Sequence, residues 1–106
     1  MVDEPVSAGG TGAGPQPTDL LLASITSCLA LAVAWSADRH GVQPTAIEVD
    51  GQAEYDGPRF KRVAVTVRCA GLSEPEACRV VEAAERVCYV SNTLRRPPQI
   101  VVAVRP

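Results

Sequence analysis

The hydrophobic pattern divides the chain into a long apolar helix, a β-hairpin, an amphipathic helix and a terminal apolar strand. Residues 20–35, LLLASITSCLALAVAW, carry no charge. Thr18 is a suitable N-cap and Gly41 a stop signal after the basic Arg39 and His40, so the sequence predicts a helix from Thr18 to about residue 40. A helix that is apolar on every face needs protein all round. We therefore expect a central, buried helix that packs against its twin in a homodimer.

Two alternating stretches predict a hairpin after this helix. Residues 47–55 alternate apolar with acidic or polar side chains, and residues 62–69 repeat the alternation around a row of valines. The DGP sequence between them is typical of a tight turn. The apolar face of the first strand, which includes Tyr55, is expected to be buried. Its acidic face is expected to pair with Arg62 and Arg68 on the second strand.

The last third of the chain predicts a second helix and a final strand. Ser73 and Glu76 fit a capping box ahead of an apolar stripe, and a turn or short helix follows before two prolines. Residues 99–104, QIVVAV, are apolar throughout and predict a strand buried on both faces. The order helix, strand, strand, helix, strand predicts one α+β two-layer domain over residues 1–106. Its first sixteen residues are expected to be a flexible Gly/Pro-rich lead-in.

Composition and charge exclude several classes of function. The chain has 106 residues, 46% of them apolar, and a formal net charge of −2. Without a broad basic patch, nucleic acid is not an expected partner. The apolar run is shorter than the ~20 residues of a membrane span, and its acidic, Gly/Pro-rich approach differs from that of a signal peptide. We therefore expect a cytoplasmic protein with no membrane partner.

The four cysteines are the candidate chemistry. They lie at residues 28, 69, 78 and 88, with no CxxC spacing and with His40 distant from all of them in sequence. This pattern is weak for a zinc site, so neither a metal nor a cofactor is expected. A free cysteine is most often a small buried packing residue, and we keep that interpretation for Cys69 and Cys78.

Cys28 and Cys88 differ in their sequence context. GAGPQPTDLLLASITSC ends at Cys28, and ERVCYVSNTL contains Cys88. Together they resemble the OsmC/Ohr family, the osmotically inducible and organic hydroperoxide resistance proteins. Those proteins have a Gly-rich turn, a Pro-Glu-Leu-Leu-like helix start, a cysteine in the central helix and a second cysteine in a CPxS context. The resemblance covers residues 9–104 and agrees with the predicted order of elements.

The resemblance implies a thiol-dependent peroxidase. Family enzymes reduce organic hydroperoxides with a cysteine pair, so it implies that a Cys28 thiolate attacks the peroxide and becomes a sulfenic acid. Cys88 would resolve it to a disulfide, which a cellular dithiol would reduce. The attacking sulfur must be a thiolate, which requires a group that lowers its pKa.

The N-terminal part departs from the family pattern. Active members carry an assisting Arg in strands before the Gly-rich turn, whereas this chain has no basic residue before Arg39, and those strands have no counterpart. An alternative is therefore a catalytically impaired dimer that serves as a small-molecule or partner-binding module. The cations that could replace the missing Arg are Arg59, Lys61, Arg62, Arg95 and Arg96.

Overall fold

Three α-helices and one antiparallel hairpin form two layers. The computed structural model describes residues 2–106. Its elements are α1 (Pro17–Arg39), β1 (Ala46–Tyr55), β2 (Phe60–Ala70), α2 (Glu74–Val87) and α3 (Tyr89–Arg95), preceded by a single 3-10 turn at Val6–Ala8. The inner face of the hairpin packs against the core that α1 and α2 build. The predicted α+β two-layer class is therefore confirmed.

Helix α1 begins one residue earlier than predicted. Pro17 occupies its first turn, where a missing N–H is harmless. Gln16, not Thr18, is the N-cap, and its backbone N–H donates to the Asp19 carboxylate at 3.1 Å. At the other end Gly41 adopts a positive φ of 70°, the left-handed conformation that glycine allows at a helix stop.

One side of α1 is buried within the single chain, and the other is not. The buried side follows helical spacing and consists of Ile25, Leu29, Val33, Ser36 and Ala37. On the opposite side Leu31 is 74% exposed and Trp35 49% exposed. The single chain thus covers only half of the helix, and the homodimer that would cover the rest stays a prediction.

Helix α1 is also long and apolar enough to cross a membrane by length and composition. The core helix of a soluble protein passes the same test, and α1 packs against both α2 and β1. The length and composition of α1 are therefore only weak evidence for a membrane span.

The hairpin has the predicted faces and the predicted ion pairs. Glu48 lies opposite Arg68 and Glu54 opposite Arg62, with carboxylate-to-guanidinium distances of 3.6 and 3.3 Å. The side chains of these pairs are mostly exposed, so each pair contributes little to stability. Tyr55 was expected inside but is exposed, because the register shifts between Glu54 and Tyr55 and turns the end of the strand.

A glycine lets the hairpin approach α1 closely. A Cβ at Gly51 of β1 would lie 2.8 Å from Cγ2 of Thr26 and 3.1 Å from Cδ1 of Leu22. Both contacts are with α1, and the first is closer than a Cβ can tolerate. Gly51 thus sets the distance between the helix layer and the sheet layer.

Helix α2 has the predicted start. The backbone N–H of Glu76 donates to the Ser73 hydroxyl oxygen at 3.3 Å, and the backbone N–H of Ser73 donates to the Glu76 carboxylate at 3.0 Å. These two bonds form the capping box. Val80 and Ala84 are the buried residues of the helix. The predicted turn or short helix after it is α3.

The predicted C-terminal strand is wrong for this chain on its own. Residues 99–104 belong to no strand among the described residues, and Ile100 and Val102 are each 83% exposed. A strand needs a backbone partner as well as apolar side chains. The hairpin strands pair with each other, and this segment reaches neither of their free edges.

The N-terminal segment is organised around one carboxylate. Asp3 accepts hydrogen bonds from the backbone N–H groups of Glu4, Thr11 and Ala13, and from the Thr11 hydroxyl. These bonds gather the glycine-rich turn around a single side chain. That this segment is flexible in solution stays a prediction. That it belongs to a single domain over residues 1–106 also stays a prediction.

Candidate active site

The four cysteines are all free, but only two of them come together at the junction of the helices. Cys28 lies half-buried on α1, and Cys88 lies fully buried between α2 and α3. Cys28 packs against the core cluster that contains Cys88, and its side chain lies close enough to lower the pKa of Cys88. Cys69 is half-buried in β2 and Cys78 is exposed on α2.

The packing of α1 on α2 explains why the two cysteines meet. The Ser36 hydroxyl on α1 donates to the backbone carbonyl of Val80 on α2 at 2.7 Å. Cys28 lies eight residues before Ser36, and Cys88 lies eight residues after Val80. Eight residues make about two helical turns, or roughly 12 Å. Two antiparallel helices joined at Ser36 and Val80 therefore bring Cys28 opposite Cys88.

The environment of Cys88 favours its thiolate. Burial raises the pKa of the Cys88 thiol, but hydrogen bonds from the Ser91 hydroxyl, the Ser91 and Val90 backbone amides and the Cys28 side chain outweigh it, so the pKa lies below its ordinary value. The Ser91 oxygen is 3.2 Å from the sulfur. By contrast, burial alone raises the pKa of Cys69. An anionic sulfur is thus better accommodated at Cys88 than at Cys69.

An open groove of about 780 Å³ reaches Ser91, although neither Cys28 nor Cys88 is among its described lining residues. Ser91, which bonds the Cys88 sulfur, lines one wall. Leu21 and Ile25, on the α1 turns before Cys28, line another, and the tip of the hairpin closes the end. Trp35, which the sequence also offered as lining, lies outside the groove and stacks under the Arg39 guanidinium at 4.9 Å.

Four of the five cations considered from sequence line this groove: Arg59, Lys61, Arg62 and Arg95. Three of them pair with carboxylates, because Arg59 lies 3.8 Å from Asp56, Arg62 3.3 Å from Glu54, and Arg95 3.4 Å from Glu85. Arg96 is not part of the lining. Across residues 2–106, no basic side chain hydrogen-bonds either sulfur. The cations that line the groove are therefore mostly paired with carboxylates and do not contact the thiols.

His40 is not arranged for metal binding. Its Nδ1 lies 2.8 Å from the Ser36 backbone carbonyl, within the last turn of α1. In the part of the chain that the structure describes, no three His, Cys, Asp or Glu side chains form a group that could hold a metal ion.

Sequence reasoning missed two serines at this site. Ser36 follows the apolar run directly and is fully buried, and a buried serine signals a specific hydrogen bond because burying an unpaired hydroxyl is unfavourable. Ser91 stands three residues after Cys88, the spacing at which two side chains of one helical turn meet. Both serines are visible in the sequence, but their hydrogen-bond partners, the Val80 carbonyl and the Cys88 sulfur, are identified only by the packing of the helices.

The comparisons with known proteins identify the family of this chain. The family profile described as OsmC-like protein matches residues 10–103, which is most of the chain. The chain belongs to the OsmC-like family. A search of curated proteins found no match.

Solved structures with the same fold include organic hydroperoxide resistance proteins. The OsmC protein of Legionella pneumophila is 26% identical, with 88% of this chain and 71% of that one covered and a TM-score of 0.73. OhrB of Bacillus subtilis is 25% identical over 87% and 70%, with a TM-score of 0.71. A protein from Elizabethkingia anophelis, at 21% identity, 89% and 71% coverage and a TM-score of 0.73, supports the fold alone.

Proposed function

We propose that this OsmC-like protein is a thiol-dependent peroxidase that reduces organic hydroperoxides. The observation that carries the proposal is that Cys28 and Cys88 come together at one core cluster, next to an open groove that reaches Ser91, the hydrogen-bond partner of Cys88. Two of the structurally similar proteins at or above 25% identity are named for organic hydroperoxide resistance. The apolar side chains of the groove suit an organic peroxide better than a small, fully polar one.

Cys28 attacks and Cys88 resolves in this mechanism. The Cys28 thiolate attacks one oxygen of the hydroperoxide, the O–O bond breaks, and the products are a Cys28 sulfenic acid and an alcohol. The Cys88 thiolate then attacks the sulfenic sulfur and expels hydroxide, leaving a Cys28–Cys88 disulfide. A cellular dithiol reduces the disulfide by exchange. Cys28 is half-buried, whereas Cys88 has no exposed surface, so Cys28 is the cysteine assigned to meet the peroxide.

The protein works as a cytoplasmic homodimer in this proposal. The radius of gyration is 16.9 Å, against about 13 Å for a compact domain of this length. The uncovered face of α1 and the exposed apolar residues 99–104 are the surfaces that a second copy would bury. The partners in this proposal are an organic hydroperoxide and a dithiol reductant, with no membrane and no nucleic acid.

The second candidate is a non-catalytic dimer that binds a small molecule or a partner. It is favoured by one observation: in residues 2–106 the basic side chains line the groove but none bonds a sulfur. A titration of Cys28 reactivity against pH separates the two functions. A Cys28 pKa near or above ~8.5 favours the binding module, and one well below neutrality favours the peroxidase.

The direct test measures peroxide consumption and the disulfide together. Treatment with cumene hydroperoxide is expected to form a Cys28–Cys88 bridge that mass spectrometry detects, and Cys28→Ser is expected to abolish peroxide consumption. Cys78→Ser is the matched control, because that thiol is exposed and lies outside the pair. A protein that forms no bridge, and whose Cys28→Ser variant consumes peroxide at the original rate, would refute the peroxidase.

A further inference from the structure

Ser91 is the residue through which the groove reaches the cysteines. Its side chain lines the groove, and its hydroxyl oxygen lies 3.2 Å from the Cys88 sulfur. Cys88 itself is fully buried and is not among the described lining residues. A molecule in the groove therefore meets the Ser91 side chain before it can meet the Cys88 sulfur.

The remaining surroundings of Cys88 are apolar. Cys88 belongs to the buried core cluster that includes Val33, Val80 and Ala84. Val65 of β2 both lines the groove and packs against this cluster, but it has no polar atom to offer the sulfur. Cys88 is thus enclosed by the core on one side and by the Ser91 hydroxyl on the side of the groove.

The hydrogen bond favours the side-chain orientation of Ser91 that covers the sulfur. Ser91 lies in the first turn of α3, three residues after Cys88, which is a spacing at which side chains of one helical turn meet. A thiolate can only accept a hydrogen bond, and the Ser91 hydroxyl can donate one. The cover is therefore retained when Cys88 ionises to the form that reacts.

Resting on the proposed function, we propose that Ser91 is a positioning residue that separates the Cys88 sulfur from the groove and keeps a peroxide there from oxidising the resolving thiol. Cys88 then stays reduced until a sulfenic acid has formed at Cys28. Direct oxidation would make Cys88 the sulfenic acid and end its role as the attacking thiolate of the resolving step.

Access to Cys88 is measured by alkylation, without any peroxide. Two reagents are compared, iodoacetamide and an iodoacetamide that carries a bulky fluorescein group, and peptide mass spectrometry follows the rate of each at Cys88. Each rate is divided by the rate at the exposed Cys78 of the same protein. Both reagents are attacked by the thiolate, so the ratio of small to large reagent cancels changes in ionisation and reports the width of the path.

Ser91→Gly is expected to raise this ratio roughly fivefold, because one net hydrogen bond disfavours the uncovered sulfur by about that factor. Ser91→Thr keeps the hydroxyl and is expected to leave the ratio unchanged. The matched control is Thr93→Gly on the same helix, where the lost hydroxyl bonds the Tyr89 carbonyl at 2.7 Å. An unchanged ratio in Ser91→Gly, or a rise that Thr93→Gly shares, would overturn the inference.

A variant on β2 tests the other side chain between the groove and the core. Val65→Ala shortens that side chain and leaves the Ser91 hydroxyl in place, so we expect the alkylation ratio of the unmodified protein. A rise in Val65→Ala without a rise in Ser91→Gly would assign the barrier to β2 and remove the role of Ser91.

The consequence for oxidation is tested in a Cys28→Ser background. Cumene hydroperoxide and a dimedone-type probe are added to this variant with and without Ser91→Gly. In direct oxidation the Cys88 thiolate attacks one peroxide oxygen and the O–O bond breaks. A sulfenic acid forms at Cys88, and the alkoxide takes a proton from water and leaves as the alcohol. Labelling of Cys88 is expected to depend on Ser91→Gly, and the same labelling in both proteins, zero included, would refute the protective role.

The two levels of the proposal fail differently. If the unmodified protein consumes no peroxide, the proposed function itself is wrong, and the alkylation ratios still decide whether Ser91 covers Cys88. If it consumes peroxide while the ratio is unchanged in Ser91→Gly, the peroxidase stands and the role of Ser91 is wrong. Far-UV circular dichroism of each variant confirms that the helices carrying the pair are intact.

Discussion

Removal of the Ser36 hydroxyl is expected to destabilise the contact that sets the register of α1 on α2. The hydroxyl is fully buried and donates to the Val80 carbonyl at 2.7 Å. A hydrogen bond of this kind contributes about 1 kcal/mol net, and alanine returns at most ~0.7 kcal/mol through its higher helix propensity. Ser36→Ala is therefore expected to be destabilising by a few tenths of a kcal/mol to about 1 kcal/mol, measured by urea unfolding.

The matched control is Ser24→Ala on the same helix. Ser24 is exposed, and its hydroxyl donates to the Leu20 carbonyl of its own helix at 2.9 Å. It carries the same gain in helix propensity but no link to α2. The difference between the two variants therefore isolates the contact, and we expect about 1 kcal/mol, or roughly 4–8 °C in melting temperature.

A second measurement connects this contact to the cysteines. A looser register between the helices is expected to slow formation of the Cys28–Cys88 disulfide by a mild oxidant in Ser36→Ala, but not in Ser24→Ala. Equal unfolding free energies for the two variants would show that the Ser36 hydroxyl does not hold the helices together. The explanation of how the cysteines meet would then be refuted.

Three further predictions concern the core and the caps. Val33 is fully buried, so Val33→Ala is expected to lower the free energy of unfolding by about 2 kcal/mol, and a urea midpoint unchanged from that of the unmodified protein would contradict this. Ser73→Ala removes the N-cap of α2 and is expected to lower stability by about 1 kcal/mol, while Ser73→Asp, which can also cap, retains most of it. The pKa of Asp3 lies below its ordinary value because its carboxylate accepts hydrogen bonds, first from the Thr11 hydroxyl and then from backbone amides. The contribution of Asp3 to folding stability is therefore complete above the unfolded-state pKa of about 3.9. It is lost as the pH falls through the lower pKa of the folded state. Amide exchange at Ala13 should accelerate over that range, and Asp3→Asn should remove the pH dependence.

Local signals predicted most of the elements. Alternation in the hairpin predicted which residues face inward and put the acidic side chains of β1 on the same face as Arg62 and Arg68, while the structure supplied the register that sets Glu48 opposite Arg68 and Glu54 opposite Arg62. The capping box at Ser73 marked the start of α2. These features depend on residues close in sequence or directly across a turn, where a pattern has few alternative meanings.

Features that depend on distant parts of the chain were harder to predict. The apolar run at residues 99–104 signals a strand, but hydrophobicity does not identify a pairing partner, and the single chain supplies none. The N-cap at Gln16 was missed because Thr18 has the higher intrinsic preference, yet Asp19 reaches the Gln16 amide. For the site, the resemblance suggested Cys28 and Cys88 as a pair, while Ser91 emerged only with the geometry.

Because Gly51 has no side chain, directed evolution at this position would change two properties together: the width of the groove and the packing of the hairpin on α1. Gly51 pairs with Val65, which lines the groove, and faces the turns of α1 that precede Cys28. A larger residue there would push the hairpin away from the helix, so the groove could accept bulkier molecules. The same displacement would admit water between the hairpin and the turns of α1 that precede Cys28. The width of the groove and the exclusion of water from between the two layers are therefore set at one position, and a gain in one is a loss in the other.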